Sequence, residues 1–291
     1  MAFQKPRRAR LIRWLGLAAL VAAARPPIHA QLPLAVAKSS GQTVTPAFEG
    51  WYRNADGTFS ISFGYYNRNS EEVVSVPIGA ANRVEPGPPN QGQPTEFQPG
   101  RHWGVFAVKV PADFGSKEVT WTIVTRGATY AIPGHLRANW QIDALDGEAG
   151  SGNTPPALKF DANGPEGSGP LGITTGPVSA SVGTPLALSV WARDDGKASG
   201  SVGSAGRGAV PVTLTWFPHQ CPVGPAGPAG VTFTPASGRV NVTGGQATTE
   251  ATFSAPGEYV VRVRATDASG VAGAGHAQCC WTNGFVRVVV K

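Results

Sequence analysis

Five residues able to bind a soft metal lie in the C-terminal third of the chain. His219 and Cys221 are separated by one residue, and His276 precedes the adjacent pair Cys279 and Cys280. Imidazole nitrogen and thiolate sulfur are the ligands that zinc and copper favour. If the strands that carry these two segments are neighbours, the pattern predicts a zinc or copper site.

The three cysteines also have a simpler interpretation. Their odd number leaves one unpaired, and in an oxidising compartment the default is a single disulfide. Adjacent cysteines rarely bond each other because the intervening peptide is strained, so we expect Cys221 to bond either Cys279 or Cys280. This interpretation needs no cofactor, and it leaves His219 and His276 as loop residues.

Acidic residues between the two halves of the chain supply a second candidate site. Asp143, Asp146 and Glu148 carry the oxygen ligands that calcium takes. Further oxygen-bearing side chains follow at Asp161, Asn163 and Glu166. Their spacing matches no EF-hand loop, and a solvated acidic linker is the alternative.

Aromatic residues near predicted strand ends form the third candidate. Trp51, Tyr52, Tyr66 and Trp103 stand beside turns, where rings with nearby amides are suited to a polysaccharide or a peptide. Core packing requires the same residue types, and we expect Trp121, between two apolar neighbours on its face, to be a core residue.

Catalytic motifs are absent from the sequence. It contains no G-x-S-x-G, H-E-x-x-H or P-loop pattern, and its five His are scattered. We therefore predict no catalytic residue and a protein that is not an enzyme.

The charge distribution indicates export and argues against nucleic acid as a partner. Residues 1–30 hold six of the 24 basic residues and no acidic one, so the 18 basic residues that remain balance the 18 acidic residues. A basic start, a short apolar run and Ile28-His29-Ala30 predict a signal peptide over 1–30, followed by a polar leader over 31–46. No later stretch is apolar enough for a transmembrane anchor. We expect a secreted, periplasmic or cell-surface protein.

The elements that must position these residues are predicted to be strands. With 26 Pro, 38 Gly and only 14% charged residues, the composition argues against a helical bundle. Residues 47–143 are rich in aromatics and alternate in polarity, as in Phe59–Tyr65 after the Asp56-Gly57 turn. They predict one β-sandwich domain, in which Val84–Gly100 is a long exposed loop and a candidate contact surface. Leu136–Ile142 would be its last strand.

Residues 144–176 predict a Gly/Pro-rich linker, within which a short apolar run at 157–160 could pack on either domain. Residues 177–291 contain about seven short strands separated by turns, the signature of an immunoglobulin-like sandwich. Tyr259 opens the penultimate strand after a glycine turn and predicts a tyrosine corner, with Val261, Val263 and Ala265 facing inward. The fold class is therefore all-β, with two sandwich domains.

The segment Pro256–Asp267, PGEYVVRVRATD, resembles the end of the PKD-type and related immunoglobulin-like repeats of bacterial extracellular proteins. Trp216 is followed by Phe-Pro-His-Gln-Cys rather than that family's W-D-F-G-D-G turn, so the resemblance is to the wider immunoglobulin-like class. Residues 47–143 resemble uncharacterised N-terminal domains of secreted bacterial proteins. These resemblances concern the fold and carry little information on activity. Because the sequence has no catalytic motif, we expect a structural or adhesion-type binding module that presents loops to an extracellular protein or polysaccharide. A periplasmic metal-binding protein, or a glycan-binding or glycan-active one, is the alternative.

Overall fold

Strands dominate the computed structural model, which describes residues 38–143, 152–197, 211–224, 227–270 and 280–291. The protein is all-β, and a 3-10 turn lies at Ala138–Trp140. Within the same ranges, no helix has the length and hydropathy to cross a membrane. The predicted signal peptide and residues 31–37 of the leader lie outside the described residues.

The first sandwich has two three-stranded antiparallel sheets, ordered β1-β2-β6 and β4-β7-β8, and a small β3-β5 pair. Its strands are β1 (Val44–Arg53), β2 (Phe59–Asn67), β3 (Val74–Ser75), β4 (Asn82–Glu85), β5 (Glu96–Phe97), β6 (Gly100–Val110), β7 (Val119–Thr125) and β8 (Ala128–Gly134). The predicted Asp56-Gly57 turn connects β1 to β2. Because β1 begins at Val44, the sandwich starts inside the predicted leader.

Aromatic side chains fill the space between these sheets. Trp121 is fully buried, as the sequence predicts, and its ring meets that of Phe106 edge-on at 4.9 Å. The predicted strand over Leu136–Ile142 is replaced by the 3-10 turn at Ala138–Trp140, and Gln141 makes one isolated bridge to Trp51. A single bridge does not extend the sheet, so the core closes without an additional strand.

The second sandwich packs a five-stranded sheet, ordered β10-β19-β18-β12-β16, against a four-stranded sheet, ordered β15-β17-β11-β9. Its strands are β9 (Ala157–Lys159), β10 (Ile173–Ala180), β11 (Leu186–Arg193), β12 (Val212–Gln220), β13 (Val223–Gly224), β14 (Gly227–Pro228), β15 (Val231–Thr234), β16 (Ser237–Val240), β17 (Gly245–Phe253), β18 (Gly257–Thr266) and β19 (Trp281–Val290). Strand β10 runs parallel to β19, whereas β12 and β18 pair antiparallel. This order is that of an immunoglobulin-like sandwich.

The predicted tyrosine corner is present. The Tyr259 hydroxyl donates a hydrogen bond of 2.7 Å to the Ala255 carbonyl oxygen, four residues upstream. Val261, Val263 and Ala265 follow on the inner face of β18 and are fully buried. The alternation in this strand therefore identifies its core face correctly.

The second sandwich begins within the predicted linker. Strand β9 pairs with the end of β11, and Leu158 is fully buried in the second hydrophobic core. Strand β10 starts at Ile173, also before the predicted boundary. A three-residue strand gives too short an apolar pattern to be distinguished from a loop in sequence, which is why this segment resembled a linker.

Candidate functional site at the junction of the sandwiches

The two sandwiches meet along a buried surface, which we call the junction, and Ala37–Lys291 form one compact unit. At its centre, Asn283 Nδ2 donates to the carbonyl oxygens of Gly104 and Pro170, at 2.7 and 2.8 Å. Trp281 Nε1 also donates to the Gly104 oxygen, at 3.2 Å. Two side chains of β19 thus hold one carbonyl of β6, and all of these groups are removed from water.

Gly104 is required for this contact. Its φ is +47°, in the left-handed region, and a Cβ built on it would lie 2.0 Å from Trp281 Cζ2. Any side chain here would be strained and would displace the Trp281 ring. The close approach of β6 to β19 therefore depends on a residue without a Cβ.

The segment after β4 binds the end of β12. Thr95 donates its amide to the His219 carbonyl oxygen at 2.7 Å and accepts the Cys221 amide at its Oγ1 at 2.9 Å. Gln220 Nε2 donates to the Gln93 carbonyl oxygen at 2.7 Å. The prediction of a long exposed loop over 84–100 is wrong for its second half, because the second sandwich covers residues 93–97, whereas residues 85–90 are exposed. That the loop is a contact surface for a partner stays a prediction.

His219 is held neutral in the junction. Its Nε2 lies 2.7 Å from the Gly92 carbonyl oxygen, and because a carbonyl can only accept, Nε2 carries the proton. Burial, with Arg262 nearby, lowers the pKa of His219 to about 3. The ring therefore serves as a hydrogen-bond donor at neutral pH.

A cluster of cationic and aromatic side chains lies on the junction face of β18. Arg262 and Arg264 place their guanidinium carbons 4.7 and 5.4 Å from the centroid of the Phe217 ring. His102 of the first sandwich meets the same ring edge-on at 6.0 Å and stacks on Tyr65 at 4.9 Å. Two positive charges thus lie between the sandwiches, with Arg262 buried and Arg264 half-buried.

Two cavities adjoin the junction. One, of about 240 Å³, is lined by Gln91 and Phe106 of the first sandwich and by His219 and Phe285 of the second. The other, of about 530 Å³, borders Cys221 and is also lined by residues of both sandwiches. A small molecule in either cavity would contact both sandwiches.

The expected disulfide from Cys221 is not formed, because Cys221 is a free and buried cysteine. Its neighbour Gln220 pairs with Val260 near the start of β18, whereas Trp281, which follows Cys280, pairs with Thr266 at the other end. Six residue steps along a strand span about 20 Å, far beyond the Cα separation that a disulfide tolerates. Cys279 lies outside the described residues.

The same geometry separates the predicted zinc or copper ligands. His219 and Cys221 are at one end of β18 and Cys280 is at the other, where its sulfur lies 3.2 Å from Asn153 Nδ2. Among the described residues, no group of three His, Cys, Asp or Glu could hold a metal ion. His276 and Cys279 lie outside these residues.

The predicted calcium ligands fall partly outside the described chain, since Asp146 and Glu148 are not described, whereas Asp143 is. The acidic residues beyond them have other partners. Glu166 forms an ion pair with Arg193, and the Asp161 carboxylate accepts the Asn163 amide in a turn. Asp161 and Glu166 therefore stabilise local structure, and the calcium site stays a prediction.

The four predicted ligand-binding aromatics do not form one platform. Tyr52 is buried and its hydroxyl accepts the Leu171 amide at 2.7 Å, while Trp51 Nε1 donates to a backbone carbonyl at 2.7 Å. Tyr66, which is 46% exposed, lies at the opposite end of the sheet, where it pairs with Arg101, two residues before Trp103. Tyr66 is the exposed one of the four, whereas Trp51 and Trp103 are each half-buried.

Arg262, Arg264, Gly104 and Asn283 are functional candidates that the sequence does not reveal. The arginines alternate with Val261 and Val263, a pattern that predicts a solvent-facing side of β18. Nothing in the sequence of β18 indicates that the first sandwich covers this side.

No known protein-family profile matches this chain, and no curated protein does. Among solved structures, it is similar to a chimeric titin Z1Z2 carrying an exogenous peptide from decorin, at 11% identity over 86% of this chain and 99% of that one, with a TM-score of 0.22. It is also similar to the D00-D0 domain of intimin, at 14% identity over 85% and 100% of the two chains, with a TM-score of 0.24. Domains 4 and 5 of the S-layer protein SbsC match at 11% identity over 85% and 98%, with a TM-score of 0.20. Because these TM-scores are low, the fold assignment rests on the strand topology.

Proposed function

We propose that this chain is an exported, non-catalytic binding or structural protein, in which the two sandwiches act as one rigid body. The rigid pair presents its surface loops to an extracellular protein or polysaccharide, at the cell surface or in the periplasm. Loops held by a rigid β scaffold bind well because little conformational freedom is lost on binding.

The observation that carries this proposal is the hydrogen bonding at the junction. Domains joined through small, wet contacts move relative to one another by default. Here Asn283, Trp281 and Thr95 make direct hydrogen bonds of 2.7 to 3.2 Å across the junction. Separation of the sandwiches would leave buried donors and acceptors without their partners, which favours a fixed orientation.

The distance between two spin labels, one on each sandwich, tests the rigidity. Ser116 and Ser181 are exposed, on the first and second sandwiches, and Ser116→Cys with Ser181→Cys provides the attachment sites. Burial raises the pKa of the Cys221 thiol to about 12, so Cys221 should not be labelled. Because Cys279 and Cys280 are also native cysteines, the chain without the two new cysteines is labelled in parallel to measure any native uptake of the label. We expect one narrow distance distribution. A broad or bimodal distribution would contradict the rigid scaffold.

Cell fractionation tests the export. The mature chain should appear outside the cytoplasm with residues 1–30 removed, as read from its N-terminal sequence. An uncleaved chain retained in the cytoplasm would contradict this part of the proposal.

A second candidate, glycan binding, is favoured by one surface feature. Tyr66 is 46% exposed beside Arg101, whose guanidinium lies 5.1 Å from the centroid of the Trp103 ring. Aromatic faces and a charged donor at one place suit a sugar. Affinity electrophoresis in polysaccharide gels, comparing the native chain with Tyr66→Ala, tests it. Equal mobility of the two proteins in every gel would exclude this face.

A further inference from the structure

The arginines of the junction lack the anionic partner that buried charges normally have. Arg262 is 2% exposed, its Nε has no hydrogen-bond partner in the described chain, and its Nη1 makes one long contact of 3.4 Å to Asn283 Oδ1. Arg264 Nε is likewise buried and unpaired. A buried charge without a partner is costly, so native proteins pair such charges.

The described acidic residues of the first sandwich do not provide the missing charge. The buried carboxylate of Glu49 accepts from Arg101 Nη2 at 2.6 Å. Glu96 accepts a hydrogen bond of 2.5 Å from the Ser75 hydroxyl, and burial raises its pKa to about 7. Burial lowers the pKa of Arg262 to about 9, which still leaves its guanidinium charged at neutral pH.

A third unpaired atom completes the cluster. His102 Nε2 lies 3.1 Å from the Pro99 carbonyl oxygen and must therefore carry the proton, which makes Nδ1 an acceptor. This Nδ1 is buried and has no partner in the described chain. All three side chains contact one ring, since the guanidinium carbons of Arg262 and Arg264 and the ring centroid of His102 lie within 6.0 Å of the Phe217 centroid.

We propose that Arg262, Arg264 and His102 form a binding site for a phosphate group, either inorganic phosphate or a small phosphomonoester. Guanidinium groups match the geometry of oxyanions and favour them over spherical ions. A phosphate that retains one proton can accept from both arginines and donate its O–H to His102 Nδ1. Sulfate carries no proton at neutral pH and cannot make the last contact.

We expect a ligand to enter this site from the side of Arg264. Arg264 is only partly buried, whereas Arg262 lies deeper on the same strand. A ligand entering from the Arg264 side would contact both sandwiches, through His102 on β6 and the arginines on β18. Binding should therefore stabilise the junction, and the site is independent of which extracellular partner the loops recognise.

Calorimetric titration and thermal unfolding of the mature chain test the proposal, with sodium phosphate and sodium sulfate compared at equal ionic strength and pH 7. We expect phosphate to raise the unfolding midpoint saturably and to bind at least about tenfold more tightly than sulfate, as loss of one hydrogen bond to a charged group predicts. A linear, equal effect of the two salts would indicate only general salt exclusion and would overturn the proposal. Glycerol phosphate distinguishes the sources, because it binds only if the site accepts an ester.

Arg264→Gln supplies the first variant, since a partly buried residue tolerates the change, and Arg262→Gln the second. Both should weaken phosphate binding by about tenfold or more. Arg239→Gln is the matched control, because Arg239 is an exposed arginine of the same sheet. This variant should bind phosphate as tightly as the native chain does. If Arg262→Gln does not fold, the broadening of the phosphate phosphorus NMR line by the native chain is compared with its broadening by Arg264→Gln. Equal broadening in these two proteins would refute the site.

Discussion

Replacement of Gly104 by alanine should loosen the junction by an amount that the geometry predicts. The added Cβ would sit at a φ of +47° and 2.0 Å from Trp281 Cζ2. A left-handed alanine costs about 1 to 2 kcal/mol, and forcing an atom into a filled space costs typically about 1 to 3 kcal/mol. If Trp281 moves away, its hydrogen bond to the Gly104 carbonyl is lost, at about 1 kcal/mol. We therefore expect Gly104→Ala to reduce the free energy of unfolding by about 3 to 6 kcal/mol.

Urea unfolding followed by circular dichroism measures this loss, and tryptophan fluorescence reports on Trp281 in the same experiment. Gly57→Ala is the control, because Gly57 has a φ of +83° with nothing within 4 Å of the position its Cβ would take. This variant should lose only the backbone contribution of about 1 to 2 kcal/mol. Equal losses in the two variants would refute the packing of Trp281 against Gly104.

Four further outcomes follow from single side chains. Tyr259→Phe removes the hydrogen bond to Ala255 and should cost about 1 kcal/mol in urea unfolding, and an unchanged midpoint would show that the corner bond is not stabilising. Cys221 should react with a thiol reagent only after unfolding, since burial raises its pKa to about 12. Fast modification of the native chain that peptide mapping assigns to Cys221, rather than to Cys279 or Cys280, would contradict its burial. The pKa of His219 is lowered from 6.5 to about 3, so between these pH values the unfolded chain binds a proton that the folded chain does not. The free energy of unfolding should therefore fall as the pH drops from 6.5 to 3, and it should fall less steeply in His219→Gln. Burial raises the pKa of Glu96 from 4.5 to about 7, so the stability that its protonated form contributes is lost as the pH rises through 7. Between about pH 5 and pH 8, the free energy of unfolding of Glu96→Gln should therefore rise relative to that of the native chain in the same denaturation assay.

The sequence predicts best where a strand has one buried face. Val261, Val263 and Ala265 alternate with polar neighbours and do face the core, and Tyr259 forms the corner that its position after a glycine turn indicates. The large indole of Trp121 between two apolar neighbours has no other low-energy location. In these places the local pattern and the tertiary packing require the same arrangement.

Prediction fails where one sandwich covers the other. Ser60 and Ser62 lie on the face of β2 that alternation assigns to solvent, yet both are fully buried. Arg262 and Arg264 likewise lie on the face of β18 that alternation assigns to solvent, yet the first sandwich covers them. Gln93 is fully buried in the segment that was expected to be an exposed loop. Polarity reports the local face of a strand, and it carries no record of what a distant segment places upon it. The separation of Cys221 from Cys280 is equally invisible, because it depends on which strands pair and in which register.

Strand β9 has a consequence for the way the protein can be divided. A fragment beginning at Pro177, the boundary that composition suggests, would lack β9 and the first half of β10. Its β11 would carry an unpaired edge at Trp191–Arg193, the stretch that β9 covers in the whole chain, and the core would lose Leu158. Such an edge is a template for pairing with other copies, so the shorter fragment should aggregate more readily than one beginning at Gly152, which keeps β9. Strand β9, in the segment between the sandwiches, thus covers the edge of β11 through which the second sandwich would otherwise self-associate.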